Sequence, residues 1–201
     1  MIIAIDGPSA SGKGTIGRAV AERLGYHYLD TGALYRMVGL QVMTAGIDPA
    51  DEESCAAIAA ALEPSKFKDE SLRGEQVGSY ASKVAVLPKV RSALLKLQRD
   101  FAAQKPGAVL DGRDIGTVIC PNADFKFYIT ASVEARAQRR HLEAPEIPLS
   151  TIKAEIEARD LRDATRATAP LKPAPDAVVI DTSGMGIEEA VARVMGLVGK
   201  R

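Results

Sequence analysis

The chain has 201 residues, 46% hydrophobic and 26% charged, with Lys+Arg and Asp+Glu balanced at 26 each. That balance argues against a net field drawing the protein to nucleic acid or an anionic membrane, and 4% aromatic residues with no Trp argue against a base-stacking surface. Any phosphate chemistry therefore has to rest on local clusters of Arg and Lys.

The first elements read as strand, loop and helix. "MIIAID" is a short apolar run, and in "TIGRAVAERLG" Ile16, Val20 and Leu24 recur at helical spacing before Gly25. "YHYLD" is a second strand. "TGALYRMVGLQVMTAG" is a helix, with Thr31 expected as its N-cap. "PADEESCAAIAAAL" has an acidic first turn suited to a helix N-terminus. The polar stretch from about Glu63 to Ser79 has no period and is expected to be irregular. Helical spacing returns from "SYASKVAV", broken at Pro88 into two helices. "GAVLDGRD" and "ADFKFYIT" are strands, "SVEARAQRRHLE" and "STIKAEIEARDLRDATR" are charged helices around "APEIP", and "DAVVIDTSG" with "GIEEAVARVMGLVGK" closes the chain as strand and helix.

This alternation implies a parallel sheet covered by helices, in one domain without repeats or linkers. Cys55 and Cys120 lack metal-ligand spacing and read as free thiols of a reducing compartment. The N-terminus lacks the basic start and long apolar core of a signal peptide, and no stretch reaches the ~20 apolar residues of a membrane helix. A cytoplasmic location is expected.

"GPSASGKGT", residues 7–15, follows the first strand and opens the first helix. Backbone N–H groups and the helix N-terminus converge there, as an anion site requires. Gly7, Pro8, Ser9, Ala10, Ser11 and Gly12 form the wrap, and Lys13 supplies a point charge for the β- and γ-phosphates of a triphosphate. The usual hydroxyl after the Lys is displaced: Gly14 stands there and Thr15 comes one residue late. "GKGT" resembles the loop of nucleoside monophosphate kinases, where Mg²⁺ is held by nucleotide oxygens and water and no protein metal ligand is expected. Gly14 is expected to let a second substrate approach, and Thr15 to bond phosphate.

"LDGRDIG" puts Asp111, Arg113 and Asp114 at the C-terminal end of a strand, where open parallel sheets bind ligands. Arg136, Arg139, Arg140, Arg159, Arg162 and Arg166 flank the proline-broken "APEIP", as in a closing lid over a transferring phosphoryl group.

Together "IDGPSASGKGT", "LDTGALYR", "ASKVAVLPKVRSALLKLQR", "DGRDIGTVICPNADFKFYITAS", "RDLRDATRATAPLKPAPDAVVIDTS" and "IEEAV" resemble bacterial cytidylate kinases in order, from Ile5 to Val191. The resemblance implies a P-loop fold of three layers, with a five-stranded parallel sheet between helices. It implies a core of 1–61, 89–131 and 169–201, a shortened CMP-binding insertion at about 62–88, with "LRGEQV" as its remnant, and a lid at about 132–168. ATP and CMP or dCMP would be the substrates of a monomer. Ser11 to Thr15 would grip ATP, Arg36, Arg113 and Arg166 would face the CMP phosphate or the transferring group, and Thr31 would also belong to the substrate site. Ser82, Arg91 and Asp114 would read cytosine, Asp163 with Arg159 would face the sugar, and Arg136 and Arg140 would cover adenine and phosphates. A kinase of UMP or shikimate is the nearest alternative. A GTPase-type switch is remote: "DTSG" at 181–184 matches one motif, but the guanine-reading motif is missing and Asn122 is the only Asn.

Overall fold

The structure, a computed structural model, describes residues 1–72 and 74–199. The chain forms two compact units, Met1–Leu29 with Ala102–Arg201, and Asp30–Phe101. Five strands, β1 (Ile2–Asp6), β2 (His27–Asp30), β3 (Ala108–Gly112), β4 (Phe125–Thr130) and β5 (Val178–Asp181), make one sheet in the order β2-β3-β1-β4-β5. The central strand β1 runs parallel to both β3 and β4, and β4 to β5.

Strands β1 and β3 are buried almost throughout, which is why they read as nearly continuous apolar runs, while β4 is partly buried and the edge strands β2 and β5 are more exposed. On one face Ile3, Ile5, Val109, Phe127, Ile129 and Ile180 pack against Ile16, Val20 and Ala21 of α1 (Lys13–Leu24) and Ala190, Val191 and Val194 of α8 (Ile187–Val198). On the alternate positions Ala4, Ala108 and Leu110 are also fully buried. Each large side chain buried here contributes roughly 1.5–3 kcal/mol. The α/β fold expected from the sequence is the fold observed.

Helix α1 ends as its sequence directs: Gly25 takes the left-handed conformation (φ 66°) and its N–H returns to the Ala21 and Glu22 carbonyls. Two more helices belong with the sheet. α6 (Val133–Glu143), capped by Ser132 onto the Ala135 N–H, packs on α7 (Leu149–Thr165) through Ala137, Ile152 and Ile156. Neither Cys55 nor Cys120 is disulfide-bonded among the described residues, and both are buried.

The second unit is helical: α2 (Thr31–Thr44), α3 (Glu52–Ala60), α4 (Glu75–Val84) and nearly all of α5 (Pro88–Ala102), which opens on a proline. Pro at a first helical position loses nothing, because that N–H has no intrahelical acceptor. Gly39 of α2 lies against α4 so closely that a Cβ there would sit 2.7 Å from the Ala81 nitrogen.

Three local expectations need correction. The N-cap of α2 is Asp30, whose carboxylate accepts from the Ala33 N–H at 3.2 Å; Thr31 is the first helical residue and is buried. The stretch 63–79 is not irregular throughout. Short turns span Pro64–Lys66 and Asp69–Leu72, and α4 starts at Glu75 because Val77, Ala81 and Val84 share one buried face. Within "LRGEQV", Arg73 lies outside the described residues. Finally, β3 stops at Gly112 and is followed by a wide π-type turn, Ile115–Ile119, that no periodicity announced.

Candidate active site

The glycine-rich loop leaves β1 and enters α1 at Gly12, whose φ of 86° is left-handed. Gly7 is required by close approach: a Cβ there would lie 2.0 Å from the Ile129 carbonyl oxygen. An anion-binding loop presents its N–H groups and must turn its carbonyls away. Two arginines of α6 hold those carbonyls. Arg136 reaches the Ser9 oxygen at 3.3 Å, and Arg139 the Ser11 oxygen at 3.4 Å. Thr182, just after β5, also donates to the Ser11 carbonyl at 3.1 Å and receives Arg139 on its own carbonyl. The Ser11 hydroxyl is buried and finds no hydrogen-bond partner among the described residues, as a hydroxyl kept for an oxyanion would.

Lys13 stands at the loop with Nζ 3.7 Å from Asp111 Oδ2, at the end of the neighbouring strand β3. The other Asp111 oxygen accepts the Tyr28 hydroxyl at 2.7 Å. The space beside Gly14, which the sequence reading assigned to a second substrate, is bordered by this pair. A Cβ on Gly14 would meet Tyr28 Oη at 3.4 Å and Asp111 Oδ2 at 3.7 Å. Thr15 is exposed.

Beyond β3 four of the sequence-nominated residues form two ion pairs. Arg113 Nε donates to Asp163 Oδ2 at 2.8 Å, and Arg166 Nη2 to Asp114 Oδ1 at 3.4 Å. Burial alone would push the Asp163 carboxyl up. The charge and hydrogen bond of Arg113, with Arg159 and Arg166 nearby, outweigh it and hold the carboxyl below its usual range. Arg166 also bonds the carbonyl of Ala169, a non-glycine residue at φ 51°.

The remaining nominated residues divide between the two units. Arg136 is buried at 4% exposure and gives a bidentate pair to Asp160 at 3.0 and 2.6 Å besides its bond to Ser9. Arg140 is half-buried on the same helix, and Arg159 lies on α7 with its charge near Asp163. In the helical unit Arg36 pairs with Asp30 at 2.5 Å, Ser82 is half-buried on α4, and Arg91 is buried. Its guanidinium donates to the Ala85 carbonyl at 3.2 Å and lies over the Tyr35 ring at 5.7 Å.

Four residues escaped the sequence reading as site members: Asp6, Tyr28, Asp160 and Thr182. Asp160 had a signal, since it lies one turn before Asp163 on α7 and each takes one arginine. Asp6 ends β1 and accepts the Ile115 and Gly116 N–H groups, each at 2.8 Å. It thereby fixes the turn after Asp114. Burial pushes its carboxyl up to about 6, against the two N–H bonds, with Asp114 adding to the rise.

That rise has a sign that can be checked. The folded state holds the Asp6 proton more tightly than the unfolded chain, so this group's contribution is full below about pH 4. It is lost as pH rises through 6, on the order of 2–3 kcal/mol in all. Asp163, held low, works in the opposite direction and loses its contribution as pH falls below the ordinary carboxylate range. Asn at position 6 cannot titrate. The stability of the native protein relative to Asp6→Asn should therefore rise by about 1 kcal/mol from pH 7 to pH 5 in urea denaturation. A constant or falling difference would contradict the assigned environment.

Among the described residues no group of three or more His, Cys, Asp or Glu is placed to hold a metal ion. Asp6 and Asp111 already have both oxygens engaged by protein groups. A divalent cation carried on a ligand's own oxygens and water would fit beside these residues. No helix among the described residues is long and apolar enough to cross a membrane.

Comparison with known proteins accords with this geometry. The cytidylate kinase family model matches residues 3–200. A cytidylate kinase of Bradyrhizobium sp. (strain ORS 278) is 52% identical over 98% of this chain and 95% of its own length. One from Paramagnetospirillum magneticum (strain ATCC 700264 / AMB-1) is 50% identical over 100% and 98%. The crystal structure of an uncharacterized protein from Eubacterium ventriosum ATCC 27560 shares the fold, with a TM-score of 0.57, 14% identity, and coverage of 100% of this chain and 99% of that one. With its phosphate loop, its Arg–Asp pairs beyond β3 and a match along nearly its whole length, the chain belongs to the cytidylate kinase family.

Proposed function

We propose that the protein transfers the γ-phosphoryl group of ATP to CMP, and to dCMP, giving CDP or dCDP and ADP. The observation that carries the reading is the placement of Lys13 and its braced loop at the end of β1, beside the Arg113–Asp163 and Arg166–Asp114 pairs beyond β3, in a chain that matches cytidylate kinases throughout.

The acceptor oxygen belongs to a phosphate already largely ionised at neutral pH, so attack in line on the γ-phosphorus needs no general base. What the reaction needs is alignment and neutralisation of charge spread over the phosphoryl oxygens. Lys13 and the N–H groups of residues 9–15 hold the ATP phosphates, with the Ser11 and Thr15 hydroxyls as further donors. Arg113 and Arg166 would each exchange a carboxylate partner for phosphate oxygens, and their present pairing keeps both guanidinium groups in place and partly desolvated. Thr31 and Arg36 serve the acceptor phosphate, and Arg140 the donor. Mg²⁺, carried on the ATP oxygens and water, supplies further charge neutralisation when bound.

On this reading Ser82, Arg91 and Asp114 address cytosine. Its exocyclic amine suits a carboxylate, and its N3 and O2 suit a guanidinium or hydroxyl. Asp163 with Arg159 faces the sugar. The catalytic unit is a monomer, with residues 62–88 as a short acceptor-binding insertion and 132–168 as the lid. Coupled ADP release against a panel of CMP, dCMP, UMP, AMP and shikimate tests the acceptor, and turnover with UMP, AMP or shikimate equal to that with CMP would overturn it. Asp114→Ala should lower kcat/KM for CMP by about 100-fold while changing ATP affinity little, the cost of an unpaired cytosine amine at a polar-reading site.

A further inference from the structure

Gly32 is the second residue of α2, and the backbone does not ask for a glycine there: its φ is not left-handed, and alanine is the better helix former. Its neighbours supply the reason. A Cβ at Gly32 would sit 3.0 Å from Asp30 Oδ1 and 3.7 Å from Arg36 Nη1. The missing side chain leaves room for an ion pair across the first turn. Asp30, the N-cap, divides its two oxygens: Oδ1 accepts the Ala33 N–H at 3.2 Å, and Oδ2 accepts from Arg36 Nη2 at 2.5 Å. Arg36 follows Gly32 by four residues on the same helix face, and side chains on a helix lean towards its N-terminus. Arg36 therefore reaches back over Gly32 to the residue that caps its own helix.

We infer that Asp30, in the room Gly32 leaves, is a positioning residue: it holds the Arg36 guanidinium at the start of α2 in the orientation that receives the acceptor's phosphate. The inference rests on the assignment of Arg36 to that phosphate in the reading above.

A long side chain on a helix surface samples many rotamers, and ordering it is part of what binding costs. Asp30 orders Arg36 before the acceptor arrives. The two side chains are 31% and 33% exposed, so water screens their attraction and the pair contributes more through orientation than through charge. The carboxylate engages Nη2. A guanidinium carries five N–H donors in a fixed fork, so a phosphate can be met by other donors of the fork while the pair stays in place. Gly32 and Asp30 thus act together, one by keeping the space clear and the other by filling it with a carboxylate.

The test measures CMP affinity by calorimetry with no ATP present. Asp30→Ser keeps a good cap for α2 but is too short, and uncharged, to hold Arg36. It should weaken CMP about fivefold, the cost of ordering one long side chain. ATP affinity, and kcat at saturating CMP, should stay within about twofold, and the urea midpoint should stay near native. In an Arg36→Met background the same change should alter CMP affinity by less than about 1.5-fold. Gly32→Ala, which pushes on the carboxylate, should weaken CMP about threefold alone and less than about 1.5-fold on top of Asp30→Ser. Equal losses in the native and Arg36→Met backgrounds, or a loss that follows the urea midpoint, would show a merely structural role and overturn the inference, as would no loss with Asp30→Ser. If Asp30→Ser does not fold, Gly32→Ala alone and with Arg36→Met closes the cycle. An Arg36→Met variant with native CMP affinity would remove the assignment of Arg36 and the inference with it. A large loss in Arg36→Met with none in Asp30→Ser would overturn the inference alone.

Discussion

Gly7→Ala is expected to cost about 4 kcal/mol of stability or more and to abolish detectable ATP binding. The added Cβ would lie 2.0 Å from the Ile129 oxygen and 3.1 Å from its carbonyl carbon. Neither atom can move cheaply. Ile129 is a fully buried residue of β4, paired with Ile180 of β5, and its strand is also hydrogen-bonded to β1. The third neighbour is Ser11 Oγ at 3.2 Å, so relief by shifting the loop would disturb the buried hydroxyl proposed to bond phosphate. Urea denaturation and ATP calorimetry read the two effects separately. Near-native values in both would mean that the approach of loop to strand is far softer than it looks.

The second large effect is at Arg136. The resemblance nominated it to cover adenine and the phosphates, yet the structure directs its donors inward, to the Ala131 and Ser9 carbonyls and to both oxygens of Asp160. Arg136→Met keeps the aliphatic stem but strands a mostly buried carboxylate and a loop carbonyl. Breaking such a pair costs about 3–5 kcal/mol, much of it from the charge left behind. Asp160→Asn should cost a comparable amount, because it leaves the buried Arg136 guanidinium without its counter-charge and offers it one acceptor oxygen in place of two. The double variant should fall well short of the sum of the two. ATP affinity should fall about tenfold as the Ser9 carbonyl is released, roughly one hydrogen bond to a charged donor. A group acting only on the transferring phosphoryl would behave differently: Arg136→Met would then lower kcat and leave the denaturation midpoint unchanged.

A binding loop therefore has two sides in this protein. Its N–H face is the one proposed for phosphate, and its carbonyl face is held from behind by α6 and by Thr182 after β5. Substitutions behind the loop should be felt first in stability and nucleotide affinity, and those beyond β3 in the choice and use of the acceptor.

Much of this was legible in the chain alone. Alternating apolar runs and helical periods determined the five strands and the helices between them, because burial on both faces of a parallel sheet leaves so direct a trace. "GPSASGKGT" announced the turn from β1 into α1 from local chemistry: small residues where backbone must wrap, then a Lys, then a helix N-terminus. "DGRDIG" and "RDLRDATR" brought charges to a strand end and a helix where a phosphate enzyme needs them. The ends of local elements were less legible. Asp30 and Thr31 are both good caps, and only the backbone entering α2 chose Asp30.

Tertiary structure decided which charge meets which. Arg113 and Asp163 are 50 residues apart, Arg136 and Ser9 127 apart, and Tyr28 and Asp111 83 apart. No periodicity encodes such pairings, since they arise from the order in which parallel strands assemble. The π-type turn at Ile115–Ile119 is of the same kind, held by a carboxylate from a different strand. Local sequence determined what this protein could bind, and long-range packing decided how each group that binds is oriented, because a side chain's partners are set by the fold around it and not by its neighbours in the chain.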